Sequence, residues 1–199
     1  KAGGSSESVD VGQFGVTFAP EDVTVYELGL KSYLFDRRMR LNVAAFTSQY
    51  EDMQLFFNTS PGDLSVVLGL NAGKATIRGL ELETLWQPID SLSFTLEYTY
   101  LDAKYDKYID AGVNEADNRA FIHAPENSFN LLADARIART AWGDLRGMLD
   151  YSWTDDYFTY PYQLARSGPR YNPAAAIAGD TRIKNYGVLN ARLALTDIT

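Results

Sequence analysis

The run Asn71-Ala72-Gly73-Lys74-Ala75-Thr76-Ile77-Arg78-Gly79-Leu80-Glu81-Leu82-Glu83-Thr84-Leu85-Trp86 decides the fold. Taken two residues at a time, Leu80, Leu82, Thr84 and Trp86 fall on one side, and Ile77, Gly79, Glu81, Glu83 and Leu85 on the other. Ser91 to Asp102 alternates more cleanly, with Leu92, Phe94, Leu96, Tyr98 and Tyr100 opposing Ser93, Thr95, Glu97 and Thr99. Strand side chains point to opposite faces with period two, so each segment predicts a long strand with one greasy and one polar face. Gln87-Pro88-Ile89-Asp90 predicts the tight turn between them. The polar face of this hairpin carries Glu81, Glu83 and Glu97. A small soluble sandwich has no use for carboxylates facing its core, whereas a wide barrel with water inside and lipid outside does.

The same alternation extends in both directions. Upstream, Tyr26, Leu28, Leu30, Ser32 and Leu34 oppose Val25, Glu27, Gly29, Lys31 and Tyr33. After a turn at Asp36 to Arg38, Met39, Leu41, Val43 and Ala45 oppose Arg38, Arg40, Asn42 and Ala44. That strand runs through Phe46 to Tyr50, where blurred alternation predicts a bulge. Downstream, Phe129, Leu131, Ala133, Ala135 and Ile137 oppose Ser128, Asn130, Leu132, Asp134 and Arg136. Leu145, Gly147, Leu149, Tyr151 and Trp153 oppose Arg146, Met148, Asp150 and Ser152. A last strand sets Gly187, Leu189, Ala191, Leu193 and Leu195 against Val188, Asn190, Arg192 and Ala194.

The connections alternate in length. Short ones fall at Asp36–Arg38, Gln87–Asp90 and Ala138–Asp144, and long ones at Ser5–Asp22, Glu51–Leu70, Lys104–Pro125 and Asp155–Lys184. In an up-and-down sheet every second connection lies at the same end, so the short turns share one end and the long loops the other. Outer-membrane barrels have this asymmetry. Each strand reaches about ten residues, against a mean of roughly five or six in globular sheets. Tyr26, Tyr98, Tyr100, Tyr151 and Trp153 lie near the long-loop end, and Phe35, Trp86 and Trp142 near the other, as two interfacial aromatic belts would.

Composition narrows the function classes. The chain of 199 residues has no cysteine, which excludes disulfides and thiolate metal sites. No apolar run approaches the roughly 18 residues of a membrane helix, and no signal-peptide pattern stands at Lys1. A net charge of −8 argues against nucleic acid as a partner. The 13 tyrosines are an excess that sheets and membrane girdles use. The expected fold is therefore all-β: an antiparallel transmembrane β-barrel wall of about eight strands.

Several stretches resemble successive strands of TonB-dependent outer-membrane receptors: Lys1-Ala2-Gly3-Gly4, Tyr26-Glu27-Leu28-Gly29-Leu30-Lys31-Ser32 and Arg40-Leu41-Asn42-Val43-Ala44-Ala45-Phe46. So do Tyr50-Glu51-Asp52-Met53-Gln54, Asn71-Ala72-Gly73-Lys74-Ala75, Arg78-Gly79-Leu80-Glu81-Leu82-Glu83 and Pro125-Glu126-Asn127-Ser128, in the family's order. The resemblance implies that residues 1–199 are a partial receptor barrel, its late strands, from a type with about 22 strands. The plug domain and TonB box of such receptors are not in these residues. Lys1 would fall inside a strand and Thr199 ahead of the final ones.

No catalytic constellation is visible, and no cofactor is expected. His123 is the only histidine and reads as a loop residue, because metal sites need several ligands. Asp106, Asp110 and Asp117 are oxygen ligands of the kind calcium takes, but their spacing does not match an EF-hand loop, so they read as a solvated acidic loop. The candidates for solute binding are Tyr157, Tyr160, Tyr162, Arg166, Arg170, Tyr171 and Arg182, in the long connection that also holds Phe158. Arginine with tyrosine suits an anionic aromatic chelate, through charge-assisted hydrogen bonds and cation–π contacts. The alternative is that these aromatics pack the loop. A polar network of Glu27, Lys31, Arg40, Glu81, Glu83, Glu97, Asp134, Arg136, Arg146, Asp150 and Arg192 is expected to face the lumen. Opposite signs on adjacent strands should pair there, since unpaired charges are costly away from bulk water.

The resemblance implies active import, not bond chemistry. Loops capture a scarce solute, foremost a ferric siderophore, and the TonB–ExbB–ExbD complex acts through the plug. The partners implied are outer-membrane lipid, the receptor's own plug and the solute. Two alternatives stand beside this reading: a soluble or surface-attached all-β module, for instance for carbohydrate, and a passive outer-membrane porin. The first is separated by detergent dependence. Isolated, the segment leaves a greasy face and two sheet edges in water. It is expected to aggregate on size exclusion without detergent or lipid, and a stable water-soluble monomer would remove the barrel reading.

Overall fold

The computed structural model describes residues 4–5, 17–58, 67–110, 112–161 and 181–198. Twelve strands form among them: β1 Gly4–Ser5, β2 Thr17–Phe18, β3 Asp22–Leu34, β4 Met39–Asn58, β5 Val67–Ile89, β6 Leu92–Asp110, β7 Val113–Asn114, β8 Asn127–Thr140, β9 Gly143–Thr154, β10 Tyr157–Phe158, β11 Arg182–Ile183 and β12 Tyr186–Thr196. Seven long strands make one antiparallel meander in the order β12-β9-β8-β6-β5-β4-β3, to which β7 adds an eighth by pairing with β6. Two short pairs, β1 with β2 and β10 with β11, lie outside this sheet.

Register carries the alternation across the whole sheet, because directly paired residues share a face. One row runs Leu30, Val43, Leu82, Tyr98, Phe129, Trp153, Gly187, and the next runs Ser32, Leu41, Thr84, Leu96, Leu131, Tyr151, Leu189. On the opposite face, Lys31, Asn42, Glu83, Glu97, Asn130, Ser152 and Val188 align. The greasy rows are not covered by protein: Leu28 is 79% exposed, Leu149 55% and Leu189 67%. The buried cluster lies elsewhere, at the long-loop end, where Leu55, Ala72, Ala75, Tyr105, Tyr108 and Ala116 pack together. A sheet that keeps its leucines open at mid-height and its small core beyond one rim is built for an apolar surround.

Several boundaries differ from the expected ones. β4 continues to Asn58 and β5 begins at Val67, so the expected connection Glu51–Leu70 is largely strand. The bulge after Tyr50 forms at Glu51–Asp52, with Asp52 in the left-handed region (φ 52°), and pairing resumes beyond it. β6 runs on to Asp110, absorbing the start of the expected Lys104–Pro125 loop. The turn expected at Gln87–Asp90 is Asp90–Ser91, because Ile89 still pairs with Leu92 across a register shift. Gln87 stays in the ladder by donating its N–H to the Arg38 carbonyl (2.7 Å), while Pro88 has no N–H to place. The expected connection Ala138–Asp144 shrinks to Ala141–Trp142. The hairpin at Phe35–Arg38 takes Phe35, Asp36 and Arg37 through positive φ, closed by Arg38 N–H on the Phe35 carbonyl at 3.0 Å.

Gly143 starts β9 with φ of 137°, and an added Cβ there would stand 2.5 Å from the Thr196 carbonyl oxygen. Gly143→Ala is expected to cost the intact receptor about 1–3 kcal/mol in urea unfolding. Gly112→Ala, where φ is 82° but nothing lies within 4 Å, should cost less. Equal effects would contradict this packing.

Candidate functional site

Two regions bring polar side chains together. The first is the polar face of the sheet. By register, Glu27, Lys31, Arg40, Glu81, Glu83, Glu97, Asp134, Arg136, Arg146, Asp150 and Arg192 all lie on it. Opposite charges meet across adjacent strands at Arg40–Glu83, 2.7 Å apart, and at Arg146–Asp134. Arg136 sits 3.7 Å from Asp144. Amides complete the arrangement: Asn42 donates to Glu83 (2.9 Å), and Asn130 and Asn190 donate to Asp150 (2.8 and 3.1 Å). A count of charges overlooks these asparagines, although the same period-two alternation places them on this face. Among the described residues Glu27, Lys31, Glu81, Glu97 and Arg192 form no salt bridge, so the expected pairing covers part of the set.

The second region is at the long-loop end. β6 passes its last pairing with β8 at Tyr100↔Asn127 and projects onward, its far end pairing with β7 at Ile109 and Asp110. The segment that follows β7 folds back over this projection through a 3-10 turn at Ala116–Asn118. Arg119 anchors it, bonding Asp110 at 2.8 Å with its guanidinium over the Tyr108 ring at 5.4 Å. Tyr105 packs on Tyr108 and Phe121, ring centroids 5.1 and 4.7 Å away. Burial holds the Tyr105 phenol above its ordinary value and pushes Tyr108 up to about 12 against the opposing pull of Arg119. Both lie beyond the apolar band.

This segment meets the strand after β9. His123 donates its N–H to the Phe158 carbonyl at 2.8 Å, and Ile122 bridges to Phe158. Between them and the β6 edge opens a cleft of about 620 Å³. Tyr157 lines it, in β10 opposite Ile183, with its ring 6.0 Å from His123. Arg182, in β11, is held by Asp156 and lies 5.9 Å from the Phe158 ring centre. Tyr160 is exposed just past β10. The other expected solute contacts, Tyr162, Arg166, Arg170 and Tyr171, lie outside the described residues. Tyr105, Tyr108, Arg119 and Phe121 were missed by sequence reasoning, because the strand carrying the first two reads as an acidic loop past Lys104. Asp106 accepts from Thr76 (2.6 Å) while Asp110 holds Arg119, so two of the three acids expected in a solvated loop have separate partners, and Asp117 is exposed. No group of three or more potential metal ligands occurs among the described residues.

The family described as TonB dependent receptor-like, beta-barrel matches residues 3–197. This chain belongs to that family. It lies in the bacterial outer membrane, and the family carries out transport, not bond chemistry. Among curated proteins it is 28% identical over 118 residues to a metal-pseudopaline receptor of Pseudomonas aeruginosa, covering 59% of this chain and 15% of that protein. Among solved structures it is similar to the ferric yersiniabactin uptake receptor of Yersinia pestis, with a TM-score of 0.64 and 19% identity over 91% of this chain and 23% of that one. It is similar too to the ferric preacinetobactin receptor of Acinetobacter baumannii, with a TM-score of 0.63 and 18% identity over 97% and 25%. The chain thus spans a quarter or less of the length of these relatives.

The raised tyrosines give a pH test. Their folded values exceed the ordinary 10.0, so their contribution is complete below pH 10.0 and falls as pH rises toward about 12. In an alkaline absorbance titration of the receptor, Tyr108→Phe should remove one phenol from the part of the curve that titrates above the ordinary tyrosine range. An unchanged high-pH step would contradict the burial.

Proposed function

We propose that the protein containing this wall imports a scarce, large metal chelate of the siderophore class across the outer membrane. The observation that carries the reading is a membrane-type sheet of this family with one open greasy face and one hydrogen-bonded polar face. The three relatives above are each named as receptors for a metal-binding small molecule or its metal complex. Loop residues Tyr157, Tyr160 and Arg182, with Tyr162, Arg166, Arg170 and Tyr171, contact the solute at the mouth. The eleven charged residues of the polar face line the lumen, and the plug packs against them. The TonB–ExbB–ExbD complex supplies energy through that plug. The wall itself makes no bonds in the solute; paired charges hold its shape against water.

The test is uptake in the bacterium that carries the receptor. Accumulation of radiolabelled iron, supplied as the chelate that the cells secrete, should vanish on deleting the receptor gene. It should also vanish on collapsing the inner-membrane proton gradient with a protonophore. Uptake that survives de-energisation but needs the receptor would indicate a passive pore.

A further inference from the structure

We infer that the outer face of β5 and β6, just beyond the apolar band, holds the phosphate of an outer-leaflet lipid, with Arg78 as its first contact and Lys107 as its second. The inference depends on where this sheet lies in the membrane, not on what the receptor imports. Long loops mark the extracellular end of such a barrel, so the leaflet concerned is the outer one.

Register gives the height. The greasy rows of β3 to β6 carry no charge from Leu34, Met39, Trp86 and Phe94 up to Leu28, Ala45, Leu80 and Tyr100. The next row, about 7 Å further along the strands, is Tyr26, Thr47, Arg78 and Asp102. Beyond it Thr76 pairs with Lys104, and Lys74 with Lys107 across the bulge at Asp106. Ala75, Tyr105 and Tyr108 are buried on the opposite side of the same strands, so these charges look outward, as the leucines below them do.

The acids of this face are already engaged. Glu51 lies on Lys74, Asp102 lies 2.8 Å from Lys104, and Asp106 accepts from Thr76 at 2.6 Å. Arg78 stands directly opposite Asp102, yet Asp102 turns to Lys104. Arg78 and Lys107 are exposed and have no side-chain partner among the described residues. A guanidinium presents a planar fork of donors that matches phosphate oxygens two at a time. Arginine and lysine at this height lay their stems on apolar surface and their heads among headgroups. Tyr26 and Tyr100 flank Arg78 at the same level, where aromatic rings mark a membrane interface. Thr47 and Gln49 add neutral donors beside it. The choice of a lipid over a free anion follows from continuity with the greasy face of a chain that lies in the outer membrane. Acyl chains lying along Leu28, Ala45 and Leu80 tether their phosphate at the row of Arg78. That tether raises its effective concentration there, which a free phosphate lacks on an open strand face.

The experiment uses the intact receptor in nonionic detergent. Binding is read as the anisotropy of dye-labelled lipid A carrying both phosphates, displaced by unlabelled lipid A, by its phosphate-free form or by inorganic phosphate. The phosphate-free form is expected to compete at least about tenfold more weakly than the phosphorylated one. Arg78→Gln, at an exposed side chain, should weaken binding at least about threefold, and adding Lys107→Gln should bring the loss to at least about fivefold. Arg139→Gln, equally exposed but at the short-turn rim, should leave binding unchanged. Affinity untouched by the double substitution, equal competition by the phosphate-free form, or an equal loss from Arg139→Gln overturns the inference. Displacement by millimolar inorganic phosphate assigns Arg78 to a free anion and overturns the lipid site. None of these results bears on the import reading.

Discussion

Hydrocarbon offers no partner to a main-chain N–H or C=O, so an unbroken ladder of antiparallel hydrogen bonds is the constraint on which everything else in this chain depends. The ladder runs from β3 through β12, and its register decides which residues share a surface. A slip of one residue on any strand would turn its leucines toward water and its acids toward lipid. Short turns at Phe35–Arg38, Asp90–Ser91 and Ala141–Trp142 hold that register at one rim. Arg38 adds a tie between two of them, bonding Asp90 at 3.2 Å while its carbonyl receives the Gln87 N–H.

Once the ladder fixes the faces, the polar one must satisfy its own groups. It does so with a mixture of charge pairs and amides. Glu83 is held by both Arg40 and Asn42, and Asp150 by asparagines from the strands on either side. Amide donors neutralise nothing, yet they stabilise a carboxylate without bringing a second ion out of water. Asp150 thereby links β8, β9 and β12 through one side chain. The greasy face needs no such arrangement, since leucine and valine ask only for an apolar surround.

The long-loop end obeys different rules because water returns there. Strands that leave the apolar band can bury side chains against one another, and the small core around Ala75, Tyr105 and Tyr108 does so. Asn71 fastens the arriving N-terminal segment to the same place, exchanging bonds of 2.6 and 2.9 Å with Ala19 and taking the Asp52 carbonyl at 2.7 Å. The bulge at Asp52 turns that carbonyl within reach. The cleft beyond is thus built from pieces far apart in sequence: the end of β6, the segment around Arg119, and the strand after Asp155.

Period-two alternation made the strands, their two faces and the inequality of the two rims legible in the sequence, because a single local geometry governs each of these. It was enough to put eleven charged residues on one surface, and the family resemblance followed from the same stretches. Alternation is silent wherever a bulge resets it, which is why β4 and β6 run past Tyr50 and Lys104. It is equally silent on which loop folds over which strand. Arg119 found Asp110 and Tyr108, Phe121 found Tyr105, and the cleft acquired its lining only through tertiary contact. Those pairings are set by loop closure and packing between distant segments, which no window along the chain contains.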